Sequence, residues 1–254
     1  MSRVAIISDI HGNLHALLAV LAAIDETEVD QLICLGDVIG YGPHPRECLD
    51  LVNQRCGVIV RGNHDEGVLD RAPLADFNGL ARAALVWTRS VLDRARIDAV
   101  YRWPTVAHLH GAAMCVHDSP QPGTGAYVHD ERAAAQAFRG LESAVCLLGH
   151  THVPACFETD VLAPEEPVNM RQVRARALRD GDVVELDPGC RYILNPGAVG
   201  QPRDADPRAA FGILDLGRGT FSLHRRPYDI AGAQIAMQRA GLPVLLAQRL
   251  SVGA

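Results

Sequence analysis

The first part of the chain alternates short apolar runs with segments of helical periodicity. The runs cover residues 4–7, 32–35 and 58–60. Short apolar runs separated by amphipathic helical segments are typical of β-α-β units, in which the strands lie parallel. We therefore predict an α/β fold built on a largely parallel sheet.

Five small polar clusters each follow an apolar run. They are Asp9-Ile10-His11, Gly36-Asp37, Gly62-Asn63-His64-Asp65, His117-Asp118 and Gly149-His150-Thr151-His152. In open α/β sheets, ligands bind beyond the carboxyl ends of the strands, because loops gather there and backbone groups are free. The repeated placement of polar clusters at strand ends predicts a single site at that edge.

The segments between and after these runs carry further helix and strand signals. Asn13 is placed to cap a helix whose predicted core residues are Leu14, Leu17, Leu18 and Leu21. Other helices are predicted over residues 79–100 and 130–139 and from residue 229 onwards. Other strands are predicted over residues 112–116, 145–148, 193–195, 210–216 and 221–224.

Residues 158–190 depart from this pattern because they are polar and rich in arginine. An Asp180-Gly181 pair flanked by β-prone residues predicts a hairpin with a tight turn. The simplest interpretation of its charge is a solvated edge hairpin, and a role facing the substrate is the alternative. We predict one domain over residues 1–254 that carries this hairpin-like insertion.

Composition excludes several classes of function. The formal charge of -6 and the isoelectric point near 6.0 argue against a protein that coats nucleic acid through bulk charge, although a local basic patch stays open. All 24 basic residues are arginine. Without lysine the chain has no P-loop lysine, no pyridoxal Schiff base and no lysine nucleophile. Any cation that holds phosphate must therefore be arginine or a metal ion.

The cysteines and the N-terminal sequence bear on the cellular compartment. The seven cysteines contain no C-x-x-C pair, and several lie in apolar runs as small hydrophobic residues. The N-terminal apolar run is interrupted at Ser8-Asp9, and the longest apolar stretch, residues 16–24, is too short to span a bilayer. We expect a cytoplasmic protein without a membrane partner.

The polar clusters contain the side chains that bind divalent metal ions. We expect Asp9 and His11 to hold one ion together, because residues two apart in an extended chain share a face. His150 and His152 form a second such pair, and Asp37 is placed to bridge two ions. Carboxylate, imidazole and amide ligands suit a pair of borderline ions such as Mn, Fe or Zn. Sites of this kind usually hydrolyse phosphate esters.

The ordered motifs resemble those of the calcineurin-like metallophosphoesterase superfamily, whose blocks are D-x-H, G-D, G-N-H-D/E, H and G-H-x-H. The resemblance covers residues 4 to about 152. It continues at residues 195–200, N-P-G-A-V-G, which are similar to the N-P-G-S-x-G segment of small bacterial members. The resemblance implies a four-layer αββα sandwich of two sheets flanked by helices.

The resemblance also implies roles for individual residues. One ion would be held by Asp9, His11, Asp37 and His152, and the other by Asp37, Asn63, His117 and His150. A metal-bound hydroxide is the expected nucleophile. His64 would donate a proton to the leaving oxygen, for which its intrinsic pKa is suited.

One departure from the family pattern concerns the partner of His64. Protein Ser/Thr phosphatases of the superfamily carry G-D-x-x-D-R-G, with an Asp that orients the catalytic His and an Arg that binds phosphate. Residues 36–42 of this chain read G-D-V-I-G-Y-G and have neither group. This difference argues against a phosphoprotein phosphatase and leaves Asp65 as the candidate partner of His64.

Candidate substrate contacts lie in two loops. Tyr41 and His44, in the Gly/Pro-rich loop after Asp37, are near enough in sequence to touch substrate. Arg203, after the N-P-G segment, is the candidate arginine for phosphate, with an ion pair to Asp204 or Asp206 as the alternative. His15, early in the first helix, is expected at the surface.

The motifs predict a dinuclear-metal phosphoesterase acting on a small phosphomonoester or phosphodiester. One alternative is a nuclease or cyclic-nucleotide phosphodiesterase that uses the same centre. The other is a non-catalytic interaction scaffold on the same fold. The filled ligand positions favour the enzyme over the scaffold. The sequence leaves the substrate, the native metal and the oligomeric state open.

Overall fold

The computed structural model describes residues 2–69, 74–109, 111–139 and 141–254. The strands in these ranges are β1 (Arg3–Ile7), β2 (Gln31–Cys34), β3 (Val58–Ile59), β4 (Val106–Leu109), β5 (Ala113–Val116), β6 (Val145–Leu147), β7 (Ala155–Thr159), β8 (Arg174–Ala177), β9 (Val183–Glu185), β10 (Arg191–Asn195), β11 (Ala209–Asp215) and β12 (Thr220–Arg226). The helices are α1 (Leu14–Asp25), α2 (Pro45–Arg55), α3 (Asn63–Glu66), α4 (Gly79–Val91), α5 (Arg94–Arg102), α6 (Glu131–Ala137), α7 (Ile230–Arg239) and α8 (Val244–Leu250).

The described strands form two six-stranded sheets. The first has the order β3-β2-β1-β11-β12-β9 and the second the order β4-β5-β6-β10-β7-β8. Strands β1, β2 and β3 are parallel in the first sheet, as are β5, β6 and β10 in the second. The remaining pairs are antiparallel. The polar clusters follow strands of the two parallel sets.

The alternation of side chains along β1 shows how the layers are built. Val4 and Ile6 point into the apolar layer between the two sheets, where they meet residues of the second sheet such as Leu194. Ala5 and Ile7 pack on the outer face with residues of α1 and α2. A third apolar cluster joins the outer face of the second sheet to α6. The predicted four-layer αββα sandwich is confirmed, and burial on both faces explains the continuous apolar run of β1.

Two helix predictions need correction. Leu18 is 50% exposed, because the buried stripe of α1 runs through Leu17, Val20, Leu21 and Ile24 and leaves Leu18 beside it. The helix predicted over residues 79–100 is two helices. Asp93 breaks it, since its side chain accepts a hydrogen bond from the amide of Arg96 and caps α5.

The hairpin predicted across Asp180-Gly181 is wrong in its pairing. β8 pairs with β7 at the edge of the second sheet, and β9 pairs with β12 at the edge of the first. A tight turn does occur, with Gly181 at a φ of +85°. Asp180 fixes it against the first sheet by accepting hydrogen bonds from the amide of Arg225 and the guanidinium of Arg208. The segment therefore links the two sheets.

None of the described helices combines the length and the hydropathy that crossing a lipid bilayer requires. The longest uninterrupted helices, α1 and α4, have 12 and 13 residues, and a membrane span needs about 20 apolar residues.

Candidate metal centre

The five polar clusters meet at one end of the sandwich. The loops after β1, β2 and β3 carry the clusters of the first sheet, and those after β5 and β6 carry the clusters of the second. The parallel strands of both sheets have their carboxyl ends here, so the side chains that follow them converge. The prediction of one site at the strand ends therefore agrees with the geometry.

The backbone at this site is left-handed where most proposed ligands stand. Among the described residues, seven non-glycine residues have positive φ, and five of them are proposed metal ligands. These five are Asp9 (+53°), His11 (+51°), Asp37 (+52°), His150 (+65°) and His152 (+61°). Asp and His are enriched among the few non-glycine residues that adopt this conformation. Such strain accumulates at functional sites.

The left-handed backbone corrects the argument from extended strands. Asp9 and His11 do reach the same site, but they do so through a turn and not by alternation along a strand. Their amides donate to the carbonyls of Gly36 and Asp37 at 3.0 and 2.9 Å, which ties the loop after β1 to the loop after β2. These hydrogen bonds offset part of the cost of the strained backbone.

Glycine is required where these loops touch. A Cβ on Gly62 would lie 2.1 Å from Oδ1 of Asp37, and a Cβ on Gly200 would lie 1.8 Å from the carbonyl oxygen of Ile10. Both distances are far inside van der Waals contact. The glycines of the G-N-H-D and N-P-G-A-V-G motifs therefore allow backbone to pass directly beside the ligand loops.

The first group of ligand atoms combines Asp9, His11 and His152, all fully buried. The Nε2 atoms of the two histidines are 3.1 Å apart, and Oδ1 of Asp9 lies 3.3 Å from Nε2 of His152. Nε2 of His11 is 3.6 Å from Oδ2 of Asp37. The four side chains that the family resemblance implies for one ion thus face a common point.

The second group combines Asp37, His117 and His150. Oδ2 of Asp37 lies 3.2 Å from Nε2 of His117. Oδ1 of Asp37 accepts a hydrogen bond of 2.8 Å from the amide of His64, which fixes the carboxylate. Asp37 therefore contacts both groups, which is the arrangement that a bridging carboxylate would need.

The histidine rings present Nε2 to the site because Nδ1 is engaged elsewhere. Nδ1 donates to a backbone carbonyl in His11 (Ile39, 3.1 Å), His117 (Leu35, 2.8 Å) and His152 (Gln201, 2.6 Å). A carbonyl oxygen only accepts, so the proton of the neutral ring sits on Nδ1. The lone pair of Nε2 is then free to bind a metal ion, and the carbonyl holds the ring in place.

Burial dominates the electrostatics of the first group. It lowers the pKa of His11 and of His152 well below the usual value and raises the pKa of Asp9 to about 6. Removal from water disfavours the charged form of each group. Neutral imidazole is the form that binds metal, and a nearby cation would favour the ionised form of Asp9.

In the second group, Asp37 and His117 favour each other's charge. Burial opposes ionisation of both, but their attraction holds the pKa of Asp37 well below its usual range and raises the pKa of His117 to about 10. A divalent cation bound to Asp37 would take the place of the proton on His117. Without a metal ion, the protonated ring of His117 therefore supplies the positive charge at the position where the family resemblance implies an ion.

Unpaired buried atoms show that the donor set fits metal ions. Oδ1 of Asp9, Oδ1 of Asn63, Nε2 of His117 and Nε2 of His150 have no hydrogen-bond partner among the described residues. Nε2 of His117 approaches Asp37 without the alignment of a hydrogen bond. Buried polar atoms normally find a partner. These four orphaned atoms are all proposed ligand atoms of one site, which supports a site built for cations.

A cavity of about 760 Å³ opens beside the second group. Asn63, His64, His117 and His150 line its polar side. The volume lies in the range of roughly 300–1,000 Å³ that is usual for small-molecule sites. The ligand groups therefore have access to a space large enough for a substrate.

His64 lies in this cavity with aromatic and histidine neighbours. Its ring centroid is 4.5 Å from that of Tyr41, 4.8 Å from that of His11 and 5.1 Å from that of Phe77. Burial lowers the pKa of His64 to about 4. The intrinsic pKa of imidazole therefore does not apply to His64, whose ring is neutral at pH 7 in the protein alone.

Asp65 is not the orienting partner of His64. Its Oδ1 accepts from the amides of Val38 and Ile39 at 2.9 and 3.3 Å, and its Oδ2 accepts from the amide of Gly62 at 3.0 Å. Nδ1 of His64 has no hydrogen-bond partner among the described residues. Asp65 instead holds the loop that carries Asp37 against the loop that carries Asn63.

Arg203 and Tyr41 lie together beside the first group. The guanidinium centre of Arg203 is 5.9 Å from the ring centroid of Tyr41, and its amide donates to the carbonyl of His152 at 3.3 Å. Its Nη2 donates to Gln201, whereas its buried Nε has no partner among the described residues. Tyr41 also lines the cavity. This leaves donors of Arg203 available near the ligand groups.

The alternative ion pair of Arg203 is wrong. Asp204 pairs with Arg225, and Asp206 pairs with Arg208 at 2.7 Å and with Arg225 at 3.5 Å. These carboxylates are engaged with strand β12 and the segment before β11, so they compete little for Arg203.

The structure does not support His44 as a substrate contact. His44 precedes α2, and its ring lies 5.5 Å from that of His15. It is not among the described residues that line the cavity. His15 is partly buried by this contact, so its predicted surface position is only half correct. The Gly/Pro-rich loop turns His44 away while it directs Tyr41 inward.

Two supporting roles were not predicted from the sequence. Asn195 is fully buried, and its Nδ2 donates to the carbonyl of Gly149 and to Oγ1 of Thr151 at 2.7 and 3.0 Å. It holds the loop that carries both ligand histidines, and its place in the N-P-G motif was the available signal. Tyr127 stacks on His150 with a centroid distance of 4.1 Å. A loop tyrosine carries no such signal in sequence.

Comparisons with known proteins agree with this site. The family model of the calcineurin-like phosphoesterase superfamily domain matches residues 2–219. The chain is similar to an uncharacterized protein of Methanocaldococcus jannaschii, with 32% identity over 99% of this chain and 98% of that protein. It is also similar to the crystal structure of a metallophosphoesterase from Sphaerobacter thermophilus, with 39% identity, a TM-score of 0.84 and coverage of 100% and 99% of the two chains. A hypothetical protein from Pyrococcus horikoshii shares the fold at 18% identity, with a TM-score of 0.79 and coverage of 100% and 99%.

The role of Asn195 can be tested by Asn195→Ala. The substitution leaves the carbonyl of Gly149 and the amide of Gly197 without their partner, which costs about 1–3 kcal/mol of unfolding free energy. Manganese affinity should also fall, because the loop loses its anchor. Urea denaturation and calorimetric titration measure the two effects. Gln54→Ala, at an exposed position of α2, is the control, and equal losses in both variants would contradict the proposed role.

Proposed function

Because the chain belongs to the calcineurin-like phosphoesterase superfamily, we propose that it is a dinuclear-metal phosphoesterase that hydrolyses a small phosphomonoester or phosphodiester. The observation that carries the proposal is the pair of buried ligand groups that share Asp37. Every ligand position is filled, and four of the proposed ligand atoms have no hydrogen-bond partner among the described residues. A non-catalytic scaffold would have no use for this arrangement.

Two sets of four residues would hold the ions. The first is Asp9, His11, Asp37 and His152, and the second is Asp37, Asn63, His117 and His150. Imidazole with carboxylate and amide oxygens suits Mn, Fe or Zn. When bound, two such ions would activate water and neutralise charge on the phosphate.

The cavity supports a small phosphorylated substrate. Its volume of about 760 Å³ is that of a small-molecule site. The net charge of -6 gives no bulk attraction for nucleic acid. We therefore place a nuclease activity second, while a cyclic nucleotide fits the same space.

His64 and Arg203 are the proposed protein groups for the substrate. His64 lines the cavity beside Asp37, and we propose that the negative charge of a bound phosphate favours its protonated form, which then donates a proton to the leaving oxygen. A neutral His64 ring also has an N–H that donates a hydrogen bond without transferring its proton. Arg203, whose buried Nε has no hydrogen-bond partner in the described part of the chain, would contact a phosphate oxygen.

Asp37→Asn tests the shared position. The amide keeps an oxygen for the amide of His64, so the fold should survive, but the bridging charge is lost. Bound metal should fall below two ions per chain. Hydrolysis should fall by more than the roughly 10- to 100-fold that loss of an outer partner of a ligand costs. Elemental analysis and an assay with Mn²⁺ measure this, with the exposed Asp25→Asn as control. Activity within a few-fold of wild type would contradict the proposal.

His64→Ala tests proton donation. The variant should keep its metal yet lose about 10²- to 10⁴-fold in rate on substrates with alkoxide leaving groups. On a nitrophenyl ester the loss should be much smaller, because nitrophenolate departs without a proton. His129→Ala, at an exposed position, should change neither rate. Equal losses on both substrates would show that His64 binds the phosphate by hydrogen bonding and is not the acid.

A further inference from the structure

One wall of the cavity is an aromatic ring whose exposure has no structural explanation. Tyr127 lines the cavity, and its side chain is 50% exposed. One face of the ring stacks on His150 at a centroid distance of 4.1 Å and an interplanar angle of 25°. His150 itself is only 6% exposed. The ring thus has one covered face and a free surface beside the ligand groups.

The loop that carries Tyr127 is anchored to the site. Asp118, which follows the proposed ligand His117, accepts hydrogen bonds from the amides of Ser119 and Gly125 at 2.8 and 2.7 Å. Oγ of Ser119 lies 3.1 Å from Oγ1 of Thr124. The loop from residue 118 to residue 125 is therefore closed by its own hydrogen bonds. Tyr127 follows this closed loop by two residues, and stacking on His150 holds its ring, so little ordering entropy opposes binding to the ring.

The rest of the lining is suited to an uncharged group. Leu69, Phe77 and Pro122 form apolar parts of the wall. Among the described lining residues the one arginine is Arg61, which donates to Glu66 at 3.0 Å and to the carbonyl of Tyr101 at 3.0 Å. The cavity is also far larger than a phosphate group. The lining also contains Glu66 and Asp118, which disfavour a second anionic group, so the free volume suits a neutral substituent.

We propose that Tyr127 forms a subsite for a planar aromatic group of the substrate. The substrate class is then a phosphoester of a nucleoside or an aryl alcohol, with its ring on the free surface of Tyr127. The inference rests on the proposed function, because the ligand groups would hold the phosphate. Stacking on an aromatic side chain contributes about 1–3 kcal/mol per base and needs no specific hydrogen bonds.

Equilibrium binding to the manganese-loaded protein tests the subsite without relying on turnover. Adenosine 5′-monophosphate and ribose 5-phosphate share the sugar phosphate and differ in the aromatic base. Calorimetry should show that the wild type binds the first at least about 5-fold more tightly. Tyr127→Leu, which keeps an apolar cover on His150, should reduce this preference to about 2-fold or less with the affinity for ribose 5-phosphate unchanged, whereas Tyr127→Phe should retain it.

The control is Tyr101→Leu, which removes another exposed tyrosine, 71% accessible on α5, and should leave both affinities unchanged. Equal affinities of the two compounds in the wild type would overturn the subsite. So would equal weakening of both in Tyr127→Leu together with loss of manganese, since Tyr127 would then only support His150. A Tyr127-dependent preference that persists after removal of metal with EDTA would uphold the subsite while contradicting a metal-held phosphate.

Discussion

The site depends on five side chains held by backbone in the left-handed region. Each such residue costs about 1–2 kcal/mol relative to a relaxed conformation. Hydrogen bonds between neighbouring loops offset part of this conformational cost. The amides of Asp9 and His11 donate to the loop after β2, and the amide of Gly149 donates to the carbonyl of His117. Between the sheets, the amide of His150 donates to Oδ2 of Asp9 at 3.1 Å, which ties the two sets of loops together.

The close packing of these loops also explains why glycines and buried polar residues surround the proposed ligands. Gly62 and Gly200 leave room for backbone where any side chain would collide. Asp65 and Asn195 then satisfy amides and carbonyls that the turns expose. Buried polar groups of this kind are costly unless each is paired. The strained loops thus determine which supporting residues are needed, and four proposed ligand atoms stay without a hydrogen-bond partner among the described residues.

Burial and neighbouring charges together determine the protonation states of the proposed ligand side chains. Because the ligand groups are removed from water, the imidazoles of the first group are neutral and Asp9 resists ionisation. Bound cations would stabilise the carboxylates, and the low dielectric would strengthen that attraction. The cavity beside the second group leaves this region open to a substrate from one side.

The sequence predicted that the polar clusters meet at one end of the sandwich, because apolar runs and the polar residues that follow them are local features. It predicted the four-layer fold through the same motifs. It did not predict the path at Asp180-Gly181, since turn chemistry is local whereas the choice of strand partner depends on both sheets. The positions of the His44 and Tyr127 side chains could not be predicted from local sequence either. The direction in which a loop side chain points is decided by tertiary contacts, here with His15 and with His150.

The central claim is that Asp37 joins two metal sites. Anomalous X-ray diffraction from crystals soaked in Mn²⁺ tests it most directly, because it locates the ions without an assay. The account predicts two peaks about 3.5–4 Å apart with the carboxylate of Asp37 between them. A single peak, or peaks that do not contact Asp37, would contradict it.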